Sequence, residues 1–186
     1  MLRVWELSTG TSGEARNSLP GHTRPIRDVA FAPDGTGLAT ASSDGSARIW
    51  SLTGIRPGQR STLPHVGEVF AATYSPDGKT LATAGQDKAI RIWDLKALKQ
   101  TPQSSLTDLA GATRLVMITK DAETLVSVND SHQAIIWDLQ TGKPAQRWEL
   151  PAGRTAGIAL TRDGRYLARG MADGAVELYR VAEKRS

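Results

Sequence analysis

The stretch from His65 to Asp94 reads HVGEVFAATYSPDGKTLATAGQDKAIRIWD, and it holds most of the information about the fold. Three short segments, Val69–Tyr74, Thr80–Ala84 and Ile90–Leu95, are separated by a Pro-Asp-Gly turn and by a second polar turn. Pro-Asp-Gly favours a tight turn, because proline presets φ, aspartate bonds nearby backbone and glycine accepts a positive φ. Segments this short, with turns this frequent, predict successive β-strands.

The same arrangement recurs along the chain. The turn aspartates Asp34, Asp77, Asp121 and Asp163 are 43, 44 and 42 residues apart. A series of aromatic residues has intervals of 45, 43, 44 and 42 residues: Trp5, Trp50, Trp93, Trp137 and Tyr179. Two independent markers with one period near 43 are typical of the four-stranded blade of a β-propeller. We therefore expect an all-β chain, whose blades stack because a single sheet cannot bury both of its faces.

Other segments fit this scheme. Ile26–Ala32, Gly37–Ser42 and Ala47–Leu52 predict the first three strands of an earlier repeat, and Ala145–Leu150 predicts the fourth strand of a later one. Trp148, in that outer strand, is expected to pack against a neighbouring blade rather than to anchor a partner. The polar segment Leu98–Ser105 predicts a loose loop.

The repeat boundaries predict one array of about four four-stranded blades plus two extra N-terminal strands. Residues 1–20 would supply the last two strands of a preceding blade, followed by blades at 21–63, 64–107 and 108–150 and by an incomplete blade at 151–186. This count predicts an open or partial propeller, either the C-terminal part of a larger one or half of a homodimer that completes a ring. Alternatively, the strand at Glu14–Leu19 could close onto the last blade.

The amino-acid composition excludes several classes of function. The 23 lysines and arginines are scattered among 19 acidic residues, and the net charge is +4, so nucleic acid is an unlikely partner. The sequence has no cysteine, which excludes disulfides, cysteine-ligated zinc and thiol nucleophiles. Neither a signal peptide nor an apolar stretch long enough to cross a bilayer is visible. We expect a cytoplasmic protein without a membrane partner.

The motifs resemble those of the WD40 repeats over essentially the whole chain. Trp93-Asp94 and Trp137-Asp138 match the dipeptide that names the family, and Gly21-His22 matches its Gly-His pair. His22 precedes Trp50 by 28 residues, and His65 precedes Trp93 by the same distance. Matched offsets in two repeats make the resemblance specific.

The resemblance implies a hydrogen-bonded tetrad in each repeat. It consists of Asp in the turn between the second and third strands, His before the first, Ser or Thr in the second and Trp in the third. Carried onto this sequence, the two structural tetrads are Asp44, His22, Thr40, Trp50 and Asp87, His65, Thr83, Trp93.

The later repeats depart from this pattern. In the third, Ser127 and Trp137 remain, but Ser131 takes the Asp place and Asp108–Ala112 offers no His. The fourth has Arg169 for Ser or Thr and Tyr179 for Trp. We expect both repeats to be less rigidly held.

The sequence offers few candidate catalytic residues. The resemblance makes two of the three histidines, His22 and His65, structural, and His132 is expected in a solvated turn. The repeated turn aspartates would lie one per blade, too far apart to share a metal, and no glycine-rich loop opens a helix. We expect no metal site and no cofactor. The alternative is a propeller enzyme, or an accessory domain attached to one.

The resemblance therefore predicts a non-catalytic scaffold that binds other proteins or peptides. The face that carries the tetrad His and Asp loops is the usual partner surface in the family. Here it would include seven residues, five of them basic, which hints at an acidic partner: Arg24, Arg27, Glu68, Lys88, Arg114, His132 and Arg154.

Overall fold

A computed structural model describes residues 2–5, 15–53, 58–97, 99, 101–107, 109–153, 155–161 and 163–181. Within these residues the chain forms strands and turns and no helix. None of the described segments is therefore a helix that could cross a membrane. The strands are β1 (Leu2–Trp5), β2 (Ala15–Leu19), β3 (Ile26–Phe31), β4 (Gly37–Ser42), β5 (Ser46–Ser51), β6 (Gly58–Pro64), β7 (Val69–Tyr74), β8 (Thr80–Gly85), β9 (Ile90–Asp94), β10 (Ser104–Leu106), β11 (Thr113–Ile118), β12 (Thr124–Asn129), β13 (Gln133–Asp138), β14 (Lys143–Glu149), β15 (Thr155–Leu160), β16 (Tyr166–Met171) and β17 (Val176–Arg180).

The strands pair antiparallel in chain order. β1 and β2 form a two-stranded sheet, followed by sheet I (β3–β6), sheet II (β7–β10), sheet III (β11–β14) and the three-stranded sheet IV (β15–β17). The all-β fold is confirmed, with WD40-type blades in an open or partial propeller. β2 pairs with β1, and no described strand pairs with the free edge of β17. Among the described residues, the alternative closure by the N-terminal strand onto the last blade is therefore not formed.

The expected loop at 98–105 is wrong at its end, because Ser104 and Ser105 belong to β10. Ser104 pairs with Ile92 and Leu106 with Ile90. Leu106 is almost completely buried, in the core between sheets II and III. A single apolar residue therefore anchors a segment whose polar composition predicts a loop, and sheet II gains its fourth strand.

The turn aspartates hold the turns between the first two strands of sheets I to IV. Oδ1 of Asp34 accepts the Thr36 N–H at 2.9 Å, and Oδ1 of Asp77 accepts the Lys79 N–H at 3.1 Å. Asp121 and Asp163 make the corresponding bonds. These carboxylates are therefore used inside their own turns.

Small residues on one face of each sheet pack against a tryptophan or tyrosine face of the next. Between sheets I and II, Ala39, Ala41 and Ile49 contact the cluster of Leu81 and Trp93. The same arrangement recurs between sheets II and III and between sheets III and IV. Trp148 contributes to the last of these clusters, as expected. The core thus consists of layers between sheets.

Among the described residues, two end faces lack such a cover. On sheet IV, Val176 and Leu178 are 75% and 68% exposed, although their counterparts on sheet II, Ile90 and Ile92, are buried. On β3 of sheet I, Phe31 is 68% exposed. These are the positions that a further blade covers elsewhere in the molecule.

Candidate functional site

Sheet I brings together all four residues of its expected tetrad. The Trp50 indole N–H donates to Thr40 Oγ1 at 2.9 Å. His22 Nε2 lies 2.6 Å from the same oxygen, and His22 Nδ1 lies 2.8 Å from Asp44 Oδ2. Because a carboxylate only accepts, Nδ1 carries the proton and the Thr40 hydroxyl donates to Nε2. The chain of bonds satisfies each buried polar group in turn.

The electrostatics of this network fix its protonation. Burial opposes the ionisation of Asp44, but hydrogen bonds from Ser46, His22 and the Thr23 N–H outweigh it and lower the pKa of Asp44 to about 2. Burial also lowers the pKa of His22 below 6.5, against the opposing effect of Asp44. At neutral pH the pair is therefore a carboxylate and a neutral imidazole.

Sheet II brings its four residues together differently. The Trp93 indole N–H donates to Thr83 Oγ1 at 2.7 Å, and His65 Nε2 lies 2.7 Å from that oxygen. Arg91 Nη1 donates to Asp87 Oδ2 at 2.5 Å and to His65 Nδ1 at 2.7 Å. His65 Nδ1 therefore accepts a bond and Nε2 carries the proton, the opposite tautomer to His22.

The arginine in sheet II also separates histidine from aspartate. His65 Nδ1 and Asp87 Oδ2 are 3.5 Å apart, against 2.8 Å for the equivalent atoms in sheet I. Burial opposes the ionisation of Asp87, but the hydrogen bond from Arg91 and its positive charge outweigh it and lower the pKa of Asp87 to about 2. Burial lowers the pKa of His65.

Sheet III keeps one bond of the network and has apolar residues in place of the histidine and the arginine. The Trp137 indole N–H donates to Ser127 Oγ at 2.8 Å. Leu109 stands 44 residues after His65, and Ile135 stands 44 residues after Arg91; both side chains are buried in the core. Replacing both partners of a polar contact by apolar groups strands no donor or acceptor, so sheet III tolerates the loss.

Sheet IV contains a different polar network, centred on Arg169. This side chain is completely buried at the Ser/Thr position. Its guanidinium donates to Thr155 Oγ1 at 2.6 Å, to the carbonyls of Pro151 and Gly153 at 2.6 and 2.7 Å, and to Glu177 at 3.2 Å. The Tyr179 hydroxyl also donates to Glu177. The expectation of a loosely held fourth repeat overlooked these bonds.

A single signal in the sequence points to the residues that sheet IV uses. Extending the repeat offset places Glu177 at the position of Arg91, and Arg169 at the position of Thr83. Sheet IV therefore has an anion where sheet II has the cation Arg91, and a cation where sheet II has the neutral Thr83. Glu177 lies outside the four tetrad positions, so a comparison of those positions alone does not find this pair.

The seven candidate partner-binding residues lie mostly at the ends of strands and in turns. Arg27 on β3 and Glu68 before β7 form an ion pair of 3.2 Å, and Arg27 Nε donates to Ser43 Oγ at 2.6 Å. Arg24 and Lys88 are exposed. Arg154 lies outside the described residues. Arg27 and Glu68 are therefore brought together across sheets I and II.

His132 and Lys88 occupy equivalent turns with an unusual backbone. Their φ values are 60° and 55°, whereas glycine stands at this position in the turns of sheets I and IV, as Gly45 and Gly174. His132 is half-buried rather than fully solvated, and its Nε2 donates to the Gly153 carbonyl at 3.0 Å. This carbonyl also accepts from Arg169, so one oxygen ties sheet III to sheet IV.

Arg114 lies at a β-bulge that recurs at the start of the first strand of each sheet. The register of β11 shifts between Thr113 and Leu115, as it does at the equivalent place in β3, β7 and β15. The Arg114 guanidinium carbon lies 4.0 Å from the centre of the Phe70 ring. A nitrogen of the same group lies 3.7 Å from Asp130. Bulges commonly redirect a side chain in this way.

A cavity of about 530 Å³ separates sheets III and IV beside these residues. Arg114, His132 and Arg169 line it, together with apolar side chains of both sheets. Its volume lies within the range of sites that bind small molecules or single side chains, about 300–1,000 Å³.

Comparison with known proteins agrees with this geometry. Residues 13–51 and 58–94 match the family model described as WD domain, G-beta repeat, and these ranges contain both complete tetrads. Similar proteins include the periodic tryptophan protein 2 homolog of Neurospora crassa, 39% identical over 51 residues, and transcription initiation factor TFIID subunit 5 of Drosophila melanogaster, 49% identical over 41 residues.

These similarities are local. The matched segments cover 27% and 22% of this chain, and 5% and 6% of the two relatives. The ribosome biogenesis protein ERB1 of Debaryomyces hansenii is 60% identical over 32 residues, which are 17% of this chain and 4% of that protein. Residues 13–51 and 58–94 are therefore WD40 repeats, and sheets III and IV continue the same antiparallel arrangement of strands.

Proposed function

We propose that this chain is a non-catalytic scaffold that binds other proteins or peptides through the face carrying the turns of Lys88 and His132. The main support for the proposal is that the two buried histidines have structural roles. His22 and His65 are each bonded on both ring nitrogens within their tetrads, so neither is available to act on a substrate. Protein binding is the general role of the family.

The exposed residues support the same role. Lys88 and Arg24 are exposed cations, and Arg114 is held in place by Phe70 while half of its side chain meets solvent. A rigid set of sheets that presents charged turns suits recognition, because the turns can vary while the scaffold stays fixed. We propose an acidic partner, since exposed cations steer the approach of opposite charge.

Affinity capture with charge-reversal variants tests this function. The chain carrying Arg24→Glu and Lys88→Glu should lose the proteins that the unmodified chain retains from extracts. Arg60→Glu, which reverses an exposed charge on the outer strand β6, is the matched control and should retain them. Retention of the same proteins by the double variant, with unchanged circular dichroism, would contradict this surface.

We further propose that a second copy of the chain is one of its partners. The uncovered apolar side chains Val176 and Leu178 support this, because burial against a like chain would remove them from water. Light scattering should give twice the 19.9 kDa of one chain. Val176→Lys with Leu178→Lys should give a single chain, and a monomeric unmodified chain at high concentration contradicts the idea.

A cytoplasmic location also belongs to the proposal. Two relatives bear names that refer to ribosome biogenesis and to transcription initiation, and those roles are theirs. Fluorescent tagging of the gene product at its native locus tests the location.

A further inference from the structure

We propose that the cavity between sheets III and IV is a docking site for a short acidic peptide, which inserts an aliphatic side chain and places a neighbouring carboxylate on Arg114. The proposal rests on the scaffold function and names the partner chemistry of the same surface. Three features support it: an open space between the two sheets, a lining with an apolar and a polar part, and the unused hydrogen-bond donors of Arg114.

The cavity lies where sheet IV lacks a buried side chain that the earlier sheets have before their first strand. The position before the first strand holds His22, His65 and Leu109 in sheets I to III, whose side chains are buried or half-buried. In sheet IV the equivalent residue is Pro151, which is exposed. Among the described residues, no imidazole or isobutyl group takes that place at the junction of sheets III and IV, where Arg169 lines the cavity instead.

The lining divides into an apolar floor and a polar mouth. Val128 and Leu150 are buried, and Leu115 and Ile158 are half-buried, so these four form the floor. Arg114 is exposed and His132 is half-buried, so these two belong to the mouth. An aliphatic side chain gains free energy by leaving water for such a floor, while a charged neighbour stays at the mouth.

Arg114 supplies the charge complementarity. Its guanidinium is positioned by the Phe70 ring, and the ion pair with Asp130 is long at 3.7 Å. Within the part of the chain that the structure describes, none of its N–H groups makes a hydrogen bond of ordinary length. An arginine held in place with free donors suits a carboxylate, which accepts two parallel bonds. The Arg169 guanidinium, by contrast, already donates hydrogen bonds within sheet IV, to Thr155, Pro151, Gly153 and Glu177.

The test uses two matched dipeptides, N-acetyl-Leu-Glu-amide and N-acetyl-Leu-Gln-amide, titrated into the full isotope-labelled chain and followed by amide chemical shifts. The glutamate peptide should shift the signals of His132 and Gly153 with saturation, at a dissociation constant of about 1 mM or lower. The glutamine peptide should bind about tenfold more weakly, since it lacks the charged partner.

Variants locate the site. Arg114→Gln should weaken the glutamate peptide about tenfold, and Asp130→Asn should strengthen its binding by removing a competing carboxylate. Leu115→Trp should abolish binding by filling the cavity, and Arg60→Gln should change nothing. Absence of saturation up to about 10 mM, or equal binding of both peptides, would overturn the proposal.

Failure here is distinguishable from failure of the scaffold function. A partner protein that is lost with Arg24→Glu and Lys88→Glu but retained by Leu115→Trp would reject the cavity as the docking site. It would leave the scaffold function intact. Because Leu115→Trp could also disturb packing, the amide spectrum of that variant must keep the dispersion of the unmodified chain for its result to count against binding.

Discussion

Ala89 follows Asp87 by two residues and has no side-chain donor for Asp87 Oδ1, a buried oxygen that has no partner among the described residues. In sheet I the equivalent oxygen, Asp44 Oδ1, accepts the N–H and the hydroxyl of Ser46 at 3.0 and 2.7 Å. Asp87 Oδ1 thus lacks both bonds, and the alanine side chain cannot supply the hydroxyl that makes the shorter one in sheet I.

Ala89→Ser should therefore stabilise the chain by about 1 kcal/mol, because the new hydroxyl satisfies Asp87 Oδ1. Ser46→Ala is the matched control and should cost about 1 kcal/mol, since Asp44 Oδ1 loses the hydroxyl bond and keeps only the Ser46 N–H. Urea unfolding measures both. A loss of stability in Ala89→Ser would show that the added hydroxyl does not reach the carboxylate.

Ala122→Gly should also stabilise the chain. Ala122 has a φ of 58° in the turn where the other three sheets have Gly35, Gly78 and Gly164. Relief of the left-handed conformation favours glycine by about 1 kcal/mol, which raises the melting temperature by roughly 2–4 °C in a chain of this size. Gly35→Ala, whose added Cβ meets no atom within 4 Å, isolates the backbone effect and should lower it.

Stability should fall as the pH drops below about 6.5. Burial lowers the pKa of His65 in the folded chain, so the unfolded chain takes up its proton at a higher pH. Between 6.5 and the lowered pKa the unfolded state binds more protons, and acid favours unfolding. His65→Gln should flatten this slope in thermal melts at pH 5–7.5. A second loss follows as the pH falls from about 4 through 2, where Asp44 and Asp87 are protonated.

Arg169→Met should destabilise sheet IV by about 2–4 kcal/mol, because it removes charged hydrogen bonds and leaves the Pro151 and Gly153 carbonyls and Glu177 without their donor. Hydrogen exchange should show faster exchange in β15–β17 than in β7–β9. The double variant Arg169→Thr, Tyr179→Trp restores the tryptophan–threonine bond of sheets I and II and should recover part of the loss. Unchanged exchange in β16 would contradict the role given to Arg169.

The strands and turns follow from the sequence because their signals are local. The alternation around Trp50 and Trp93 and the four turn aspartates depend on neighbouring residues only. The short strand β10 could not be predicted, because Leu106 is a single apolar residue whose burial depends on sheet III. The composition of a short segment does not indicate which other sheet will pack against it.

The tetrads, too, could be predicted only in part from the sequence. The four residue types and their offsets are visible in the sequence, but the tautomers of His22 and His65 are not. The difference arises from where the Arg91 guanidinium lies, between the imidazole and Asp87, while Arg48 stays 3.7 Å from Asp44. The network around Arg169 depends on carbonyl groups, and these have no sequence signature at all.

The uncovered face of sheet IV has a consequence for how the chain comes apart. Sheets II and III each bury two faces against neighbours, whereas sheet IV buries one and leaves Val176 and Leu178 in water. In a linear array with nearest-neighbour coupling, cooperativity propagates inward from the least coupled unit. Unfolding should therefore start as fraying of β15–β17, and the interior sheets should set the height of the main kinetic barrier.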